Sequence, residues 1–278
     1  MSGKLYLVAT PIGNLEDITF RAINILKEAD IIAAEDTRHT LKLLNHYGIS
    51  KPLISYHRHN EDVKSDILIN KLLNGENIAL VTDAGTPGIS DPGEEIVKEA
   101  INNNVEIIPI PGACALISGL ICSGLNTKEF SFYGFLPLNK KNREKVLDKI
   151  KMENKTVIMY EAPHKLIKTL NDILLNIGEV NCVIAKELTK IHEEFIRDKI
   201  SNIISELDKK EAIKGEYVIL LDLNGNEIID SDVISMKTVE EQYKIYESQG
   251  MNKKDIIKQI AKNKNVQKNE IYKIFINE

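Results

Sequence analysis

The sequence predicts an α/β protein built as two sheet-containing halves followed by a small helical segment. Short apolar, β-rich runs alternate with longer amphipathic runs along most of the chain. The strand-like runs of the first half are apolar on both faces, as expected of a mostly parallel sheet covered by helices on each side. Beyond residue 237 the pattern changes to short helical blocks with a basic balance.

In the first half, strands are expected at Lys4–Ala9, Ile31–Glu35, Leu53–Tyr56, Ile78–Thr82 and Glu106–Ile110. Helices are expected between them at Ile18–Glu28, Thr37–Tyr47, Asp62–Leu73 and Glu94–Asn102. Pro111–Gly112 closes this half and opens an apolar helix, Ala113–Ser123. The second half alternates less regularly, with strands at Phe130–Phe135, Thr156–Glu161, Cys182–Lys186 and Tyr217–Asp222 and helices at Lys140–Lys151, His164–Asn176 and Lys199–Lys209. A boundary is expected near residues 112–125, giving domains 1–114 and 115–230, and the polar stretch Asn224–Asp232 leads to a basic tail, 237–278. Tail helices are expected at Val239–Ser248, Lys253–Lys262 and Lys268–Phe275. Ile256, Ile257, Ile260 and Ala261, then Ile271, Tyr272 and Phe275, fit a helix pair resembling a helix-turn-helix, and equally a small bundle packed on the main body.

A chain of 278 residues that is 43% hydrophobic and 28% charged can bury a sizeable core in about two domains, which excludes disorder as its main state. The longest apolar runs, such as Ile78–Val81 and Val218–Leu221, fall far short of the roughly 20 residues of a membrane span. The N-terminus enters a strand at once, so no signal peptide is expected. Cys114, Cys122 and Cys182 cannot all pair and include no C-x-x-C, which points to a reduced, cytoplasmic setting. The formal charge of −5 is uneven, because residues 237–278 carry nine lysines against six acids. With 31 lysines to 5 arginines, lysine number reflects a global bias, and an arginine is the more informative residue.

The chain has no G-x-x-x-x-G-K-[ST], no G-x-G-x-x-G after its first strand and no G-x-S-x-G. These absences disfavour P-loop NTPases, dinucleotide-binding Rossmann domains and their methyltransferase cousins, and α/β-hydrolases. His57-x-His59-x-Glu61 supplies only a partial ligand set on an extended segment, so it reads as a polar or substrate-side loop and no metal is expected.

Three loops remain, each after an expected strand: Thr10–Asn14, Asp83–Gly93 and Pro111–Ala113. In open α/β sheets, ligands bind beyond the carboxyl ends of the strands. Glycines let backbone approach a ligand, and prolines fix loop shape at little entropic cost. The middle loop combines both with Asp83, Thr86, Ser90 and Asp91, and reads as a ligand loop. At its end, Asp91 is expected to cap the next helix, with Pro92 in the first helical position.

Several long stretches then match a known pattern in order: Leu7–Asp17, Ala34–Arg38, Ser55–His57 with His59–Glu61, Val81–Gly93, Pro109–Ala113, Tyr133–Pro137, Tyr160–His164, and Lys186–Lys190 with Glu193 and Glu194. From residue 5 to about 222 the chain resembles the tetrapyrrole-methylase superfamily, the class III S-adenosylmethionine-dependent methyltransferases, and within it the branch acting on small-subunit ribosomal RNA. Two positions depart from that branch, which has an acidic residue at Arg58 and an arginine at Lys165. Lysine keeps the charge but loses the planar fork of a guanidinium.

The resemblance implies a two-domain tetrapyrrole-methylase-like fold, with a mostly parallel first sheet and a mixed second one. It also implies a homodimer that holds S-adenosyl-L-methionine in the interdomain cleft and releases S-adenosyl-L-homocysteine. Matched residue by residue, the cofactor contacts are Pro11, Asp83, Gly85, Thr86, Pro87, Ile89, Ser90, Pro111, Gly112 and Ala113, with Tyr160, Ala162, Leu188 and Thr189 from the second domain. The implied reaction is methylation of a cytidine ribose 2'-hydroxyl in the decoding region of 16S rRNA, naked or in the small ribosomal subunit. Such a hydroxyl needs a proton acceptor. Glu187, then Glu35 and Asp36, stand at strand ends where one belongs, although each can instead cap a helix or pair with Arg38 or Lys186. Arg38, His57, Asn60, Lys165 and Lys186 are the candidate RNA contacts. The rival readings are a methyltransferase acting on a tetrapyrrole or a protein, and a non-catalytic nucleic-acid-binding protein working through its tail.

Overall fold

In the computed structural model, β1 (Lys4–Val8), β2 (Ile31–Ala34), β3 (Leu53–Ser55), β4 (Ile78–Val81) and β5 (Glu106–Ile110) form one sheet in the order β3-β2-β4-β1-β5. Every pairing in it is parallel. The two-sided apolar pattern has a direct structural meaning here. Ile31, Ala33, Ile78 and Leu80 face α3 (Glu61–Leu73) and α4 (Glu94–Asn102), whereas Ile32, Ala34, Ala79 and Val81 face α1 (Phe20–Glu28) and α2 (Thr37–His46). The loops after β1, β2, β4 and β5 therefore emerge along one carboxyl edge.

The second sheet runs β6-β7-β10-β8-β9, from β6 (Phe130–Phe135), β7 (Thr156–Glu161), β8 (Asn181–Lys186), β9 (Glu194–Lys199) and β10 (Tyr217–Asp222). It is mixed: β6 and β7 are parallel and the remaining pairs antiparallel. Alternation is strict in its centre. Val218 and Leu220 pack towards α5 (Ala115–Ser123), while Tyr217, Ile219 and Leu221 pack towards α6 (Lys140–Lys151), α7 (Leu166–Asn176) and α8 (Ile200–Leu207).

Two local expectations are corrected. The sequence pattern does not mark β9, an edge strand reading Glu-Phe-Ile-Arg-Asp-Lys whose last three residues are exposed. Its charges face water, so the hydrophobic period that identifies a strand is missing. Helix α4 is not capped by Asp91. It begins at Glu94 after Gly93, whose φ of 143° turns the chain there, while the Gly88 N–H closes the preceding loop on the Pro92 carbonyl.

The structure describes residues 2–225, 238–248, 251–264 and 266–275, which fall into two compact units, Met1–Gly225 and Asn226–Glu278. Most of the expected polar connection, including residues 226–230 of the second half, lies outside the described residues, as do tail residues 237 and 250. The second unit contains α9 (Val239–Ser248), α10 (Lys253–Lys264) and α11 (Lys268–Ile274) around Tyr246, Ile256, Ile257, Ile260, Ala261 and Ile271. The Asn263 amide donates to the Tyr246 hydroxyl at 2.7 Å and to the Gln242 carbonyl at 3.1 Å, tying α10 to α9. No helix among the described residues is long and apolar enough to cross a membrane.

One buried polar network fixes the carboxyl end of β7. Arg143 of α6 donates to Asp172 at 2.7 Å and to the Thr169 hydroxyl at 2.7 Å, and that hydroxyl donates to the buried Glu161 carboxylate. Glu161 in turn accepts from the Ala162 N–H at 2.8 Å. Arg143→Met leaves the Asp172 carboxylate and the Thr169 hydroxyl without their guanidinium donor. Urea unfolding is expected to read a loss of about 3 kcal/mol, or roughly 6–12 °C in Tm.

Candidate active site

A cavity of about 390 Å³ lies where the carboxyl edge of the parallel sheet meets β7, β8 and β10. Its shape comes from loops bonded to one another. Thr10 and Gly85 exchange backbone hydrogen bonds at 2.9 and 3.1 Å, joining the loops after β1 and β4. The Thr10 hydroxyl donates to the Thr82 carbonyl at 3.2 Å, and the Thr86 hydroxyl donates to the Ala113 carbonyl at 3.1 Å, bringing in the loop after β5. The Asp36 N–H donates to Asp83 Oδ1 at 3.1 Å, which adds the loop after β2. Gly85 meets these demands at a φ of 88°, with the Ile12 methyl only 3.4 Å from where a Cβ would stand. From the other sheet, the Tyr160 hydroxyl accepts from the Leu116 N–H at 3.0 Å, and the Tyr160 ring packs edge-on to Phe132 and Phe135.

The walls divide by chemistry. Ile12, Ala115, Ala185, Leu188 and Val218 are apolar, and Phe135 and Tyr160 present aromatic rings. Five acidic residues, Glu35, Asp83, Asp91, Glu161 and Glu216, line the same cavity. Burial, followed by the Asp83 charge, raises the pKa of Glu35. Burial, followed by the Glu35 charge, pushes Asp91 up to about 6. Burial likewise raises the Tyr160 phenol, which stays protonated. A cationic ligand with apolar parts is the electrostatic complement of such a site.

Of the residues matched to cofactor contacts, Asp83, Gly85, Thr86, Ile89 and Ser90 line the cavity from the first sheet. Tyr160, Ala162 and Leu188 line it from the second. Pro11, Pro87, Pro111, Gly112, Ala113 and Thr189 do not line it; Ala113 holds Thr86, and a Cβ on Gly112 would stand 2.9 Å from that of Ala9. Glu35 lines the cavity. Asp36 instead caps α2 through the Arg38 N–H at 2.8 Å and clasps the Arg38 guanidinium, which holds its pKa well below the usual carboxylate range. Glu187 also lies off the wall. Its Oε1 accepts from Lys190 Nζ at 2.8 Å and from the Glu216 N–H at 2.9 Å, and the Lys190 bond lowers its pKa.

None of the five candidate RNA contacts lines the cavity. Arg38 is committed to Asp36 although its side chain is 88% exposed. His57 donates its N–H to Asn60 Oδ1 at 2.8 Å, and the Asn60 amide meets His57 Nε2 at 3.2 Å. Lys165 ends a 3-10 turn, Pro163–Lys165, and Lys186 Nζ stands 3.5 Å from Glu194. Sequence reasoning does not single out Phe135, Glu161 or Pro163 as site residues, although the Tyr133–Pro137 and Tyr160–His164 stretches contain them. Glu216 and Tyr217 lie in no motif, and only the register of β10 brings them to the wall. In the second unit, Lys258, Lys262 and Lys268 line one open groove between α10 and α11.

The family description "Tetrapyrrole (Corrin/Porphyrin) Methylases" matches residues 4–204. A Halalkalibacterium halodurans protein named ribosomal RNA small subunit methyltransferase I is 48% identical over 98% of this chain and 94% of its own length. The Bacillus subtilis protein of the same name is 46% identical over 97% of this chain and 93% of its own. The fold is also that of the uroporphyrin-III C-methyl transferase from Thermus thermophilus, solved with S-adenyl homocysteine, at a TM-score of 0.55 and 18% identity, covering 80% of this chain and 98% of that one. The parallel first sheet, the mixed second sheet, the loop-built cavity and these matches together make the chain a member of the tetrapyrrole methylase family, in the group named for small-subunit ribosomal RNA methylation.

Proposed function

We propose that this chain transfers a methyl group from S-adenosyl-L-methionine to the 2'-hydroxyl of a cytidine ribose in the decoding region of 16S rRNA, in the cytoplasm and as a homodimer. The observation that supports it most is near-half identity, along almost the full length, to proteins named for small-subunit rRNA methylation. The finer assignment to a cytidine 2'-oxygen comes from the family resemblance that runs from residue 5 to about 222, and the Ala34–Arg38 and His57–Glu61 motifs favour RNA over a tetrapyrrole or protein acceptor.

The cavity's own residues fit the donor. Its volume is that of a small-molecule site, in the range of about 300–1,000 Å³. Gly85 makes the left-handed turn that joins the loops of the wall, and five acidic side chains line the space for a ligand that carries positive charge. When bound, the donor supplies an electrophilic methyl carbon on a cationic sulfur. Asp83 and Glu35 oppose that charge, while Ile12 and the Tyr160 ring supply apolar surface for its uncharged parts. Holding the two reactants in line contributes roughly 7–11 kcal/mol of barrier lowering. The remaining task is to accept the hydroxyl proton, and the cavity offers carboxylates for it.

For RNA, the helix-turn-helix-like tail presents Lys258, Lys262 and Lys268, all exposed and free of ion pairs among the described residues. A backbone phosphate is the natural partner of such a lysine set. The direct test maps ribose methylation in small-subunit rRNA from cells lacking this protein. The expected result is the loss of one cytidine 2'-O-methyl group; an unchanged pattern overturns the reading.

Two further outcomes are expected. Glu187→Gln removes the Lys190 ion pair and should lower stability by about 0.5–1 kcal/mol, read as a small fall in Tm. A hundredfold or larger loss of turnover at unchanged Tm would instead return Glu187 to the chemistry, on the order of a general-base effect. Replacing Lys258, Lys262 and Lys268 together by Gln should weaken RNA binding. The log–log salt dependence should then flatten by about 0.7 for each phosphate no longer neutralised. Calorimetric affinity for the methyl donor should not change.

A further inference from the structure

We propose that Asp91 is the catalytic base, accepting the proton of the acceptor hydroxyl as the methyl group is transferred. This rests on the methyl-transfer reading above and adds to it the destination of the proton. Five acidic residues line the cavity, and four are already engaged: Glu161 accepts from the Thr169 hydroxyl and the Ala162 N–H, and Glu216 accepts from Lys190. Asp83 Oδ1 accepts from the Asp36 N–H, and Glu35 is held by the Asp83 backbone N–H. Asp91 forms no hydrogen bond or ion pair among the described residues. Nor does it serve the helix it precedes, since α4 starts at Glu94 behind Gly93.

The backbone beside it is strained. Ser90 has a φ of 65°, a conformation uncommon outside glycine that persists only where its surroundings impose it. The surroundings are visible. Arg58 donates to the Ser90 carbonyl, and Gly134 in β6 leaves the room that a Cβ, 3.0 Å from Ser90 Oγ, would take. The guanidinium thus grips one side of the turn and the second sheet fits the other, and the next residue is the unpartnered carboxylate on the cavity wall.

The charged and titratable groups facing Asp91 are Glu35, Asp83, Arg58 and Tyr160. The two carboxylates oppose its ionisation, Arg58 favours it, and burial outweighs them all, so its proton affinity lies near the operating pH. In the step itself, the acceptor oxygen gains the methyl carbon, the carbon–sulfur electron pair stays on sulfur, and the hydroxyl proton passes to Asp91 and then to water. Sulfur loses its positive charge and one proton leaves, so charge balances.

The test is Asp91→Asn in the full chain, assayed on small-subunit RNA. Turnover is expected to fall roughly 10²–10⁴-fold, and the rise of kcat/KM with pH through about 6 should vanish. Donor Kd by calorimetry should stay within about threefold. Thermal melts give a reading independent of activity. A raised folded-state carboxyl pKa penalises the fold as pH rises from the ordinary 3.8 and fully above about 6. The variant should therefore melt higher than wild type near pH 8, with a difference that closes towards about pH 4. Glu35→Gln should shift the midpoint of the kcat/KM profile to lower pH, because a neighbouring negative charge is removed. Asp91→Asn activity within about tenfold of wild type, or donor affinity falling in step with turnover, overturns the assignment while leaving the methyl-transfer reading intact. A wild-type enzyme that methylates no small-subunit RNA overturns both.

Discussion

The exchange of backbone hydrogen bonds between Thr10 and Gly85 is the constraint on which the site depends. β1 and β4 are neighbours in the parallel sheet, so their loops leave it side by side, yet adjacency alone does not give two loops a common shape. The Thr10–Gly85 pair extends the sheet's pairing into the loops. The threonine hydroxyls of Thr10 and Thr86 continue it to the Thr82 and Ala113 carbonyls. Because these bonds run between backbones and short side chains, the loops have few conformations to lose when a ligand arrives, and preorganisation of this kind lowers the cost of binding.

That rigidity permits an electrostatic arrangement a softer site could not sustain. Five carboxyl groups share one cavity, and Glu35 and Asp91 are both pushed towards protonation by burial and by neighbouring negative charge. Loops free to move would relieve the repulsion by swinging the groups into water. Here the Asp36–Asp83 bond and the Arg58 grip on the Ser90 carbonyl keep the acids inward. The stability given up is recovered in the apolar layers on both faces of each sheet, away from the chemistry. An acidic pocket of this kind is at ease only with a cation inside it, which describes the proposed donor before reaction and not after it.

Much of this is legible in the sequence, and the limits have physical causes. β2 and β4 declare themselves because burial on both faces leaves only apolar residues, and the Asp83–Gly93 loop because glycine and proline at that density serve backbone geometry. β9 stays hidden because an edge strand pays no penalty for charge. Asp91 passes for a helix cap because Asp-Pro before a helical run has that ordinary look, and only the left-handed turn at Gly93 separates the carboxylate from the helix. Glu187 and Glu35 look alike as acids at strand ends. What separates them is Lys190 and the Glu216 N–H, contacts made across the fold that no local pattern records. Glu216 and Tyr217 reach the wall through the register of β10 against β7 and β8, which is likewise non-local.

The arginines bear out why composition has to be read against its own background. In a chain that uses lysine almost everywhere, Arg143 joins Asp172 and Thr169 inside the second half, and Arg197 closes the end of α5 by donating to the Cys122 and Ser123 carbonyls. Arg38 holds Asp36 with two nitrogens at once. Each use needs a planar donor with several N–H groups in fixed directions, which an ammonium cannot supply. Arg58 belongs to the same set: it reaches the Ser90 carbonyl while its charge acts on both Glu35 and Asp91. The branch this chain resembles has an acid there, which would add a further negative charge beside the cavity and remove the grip on the turn. With arginine, the loop is held and one side chain partly offsets the rise in proton affinity that burial gives both carboxyl groups.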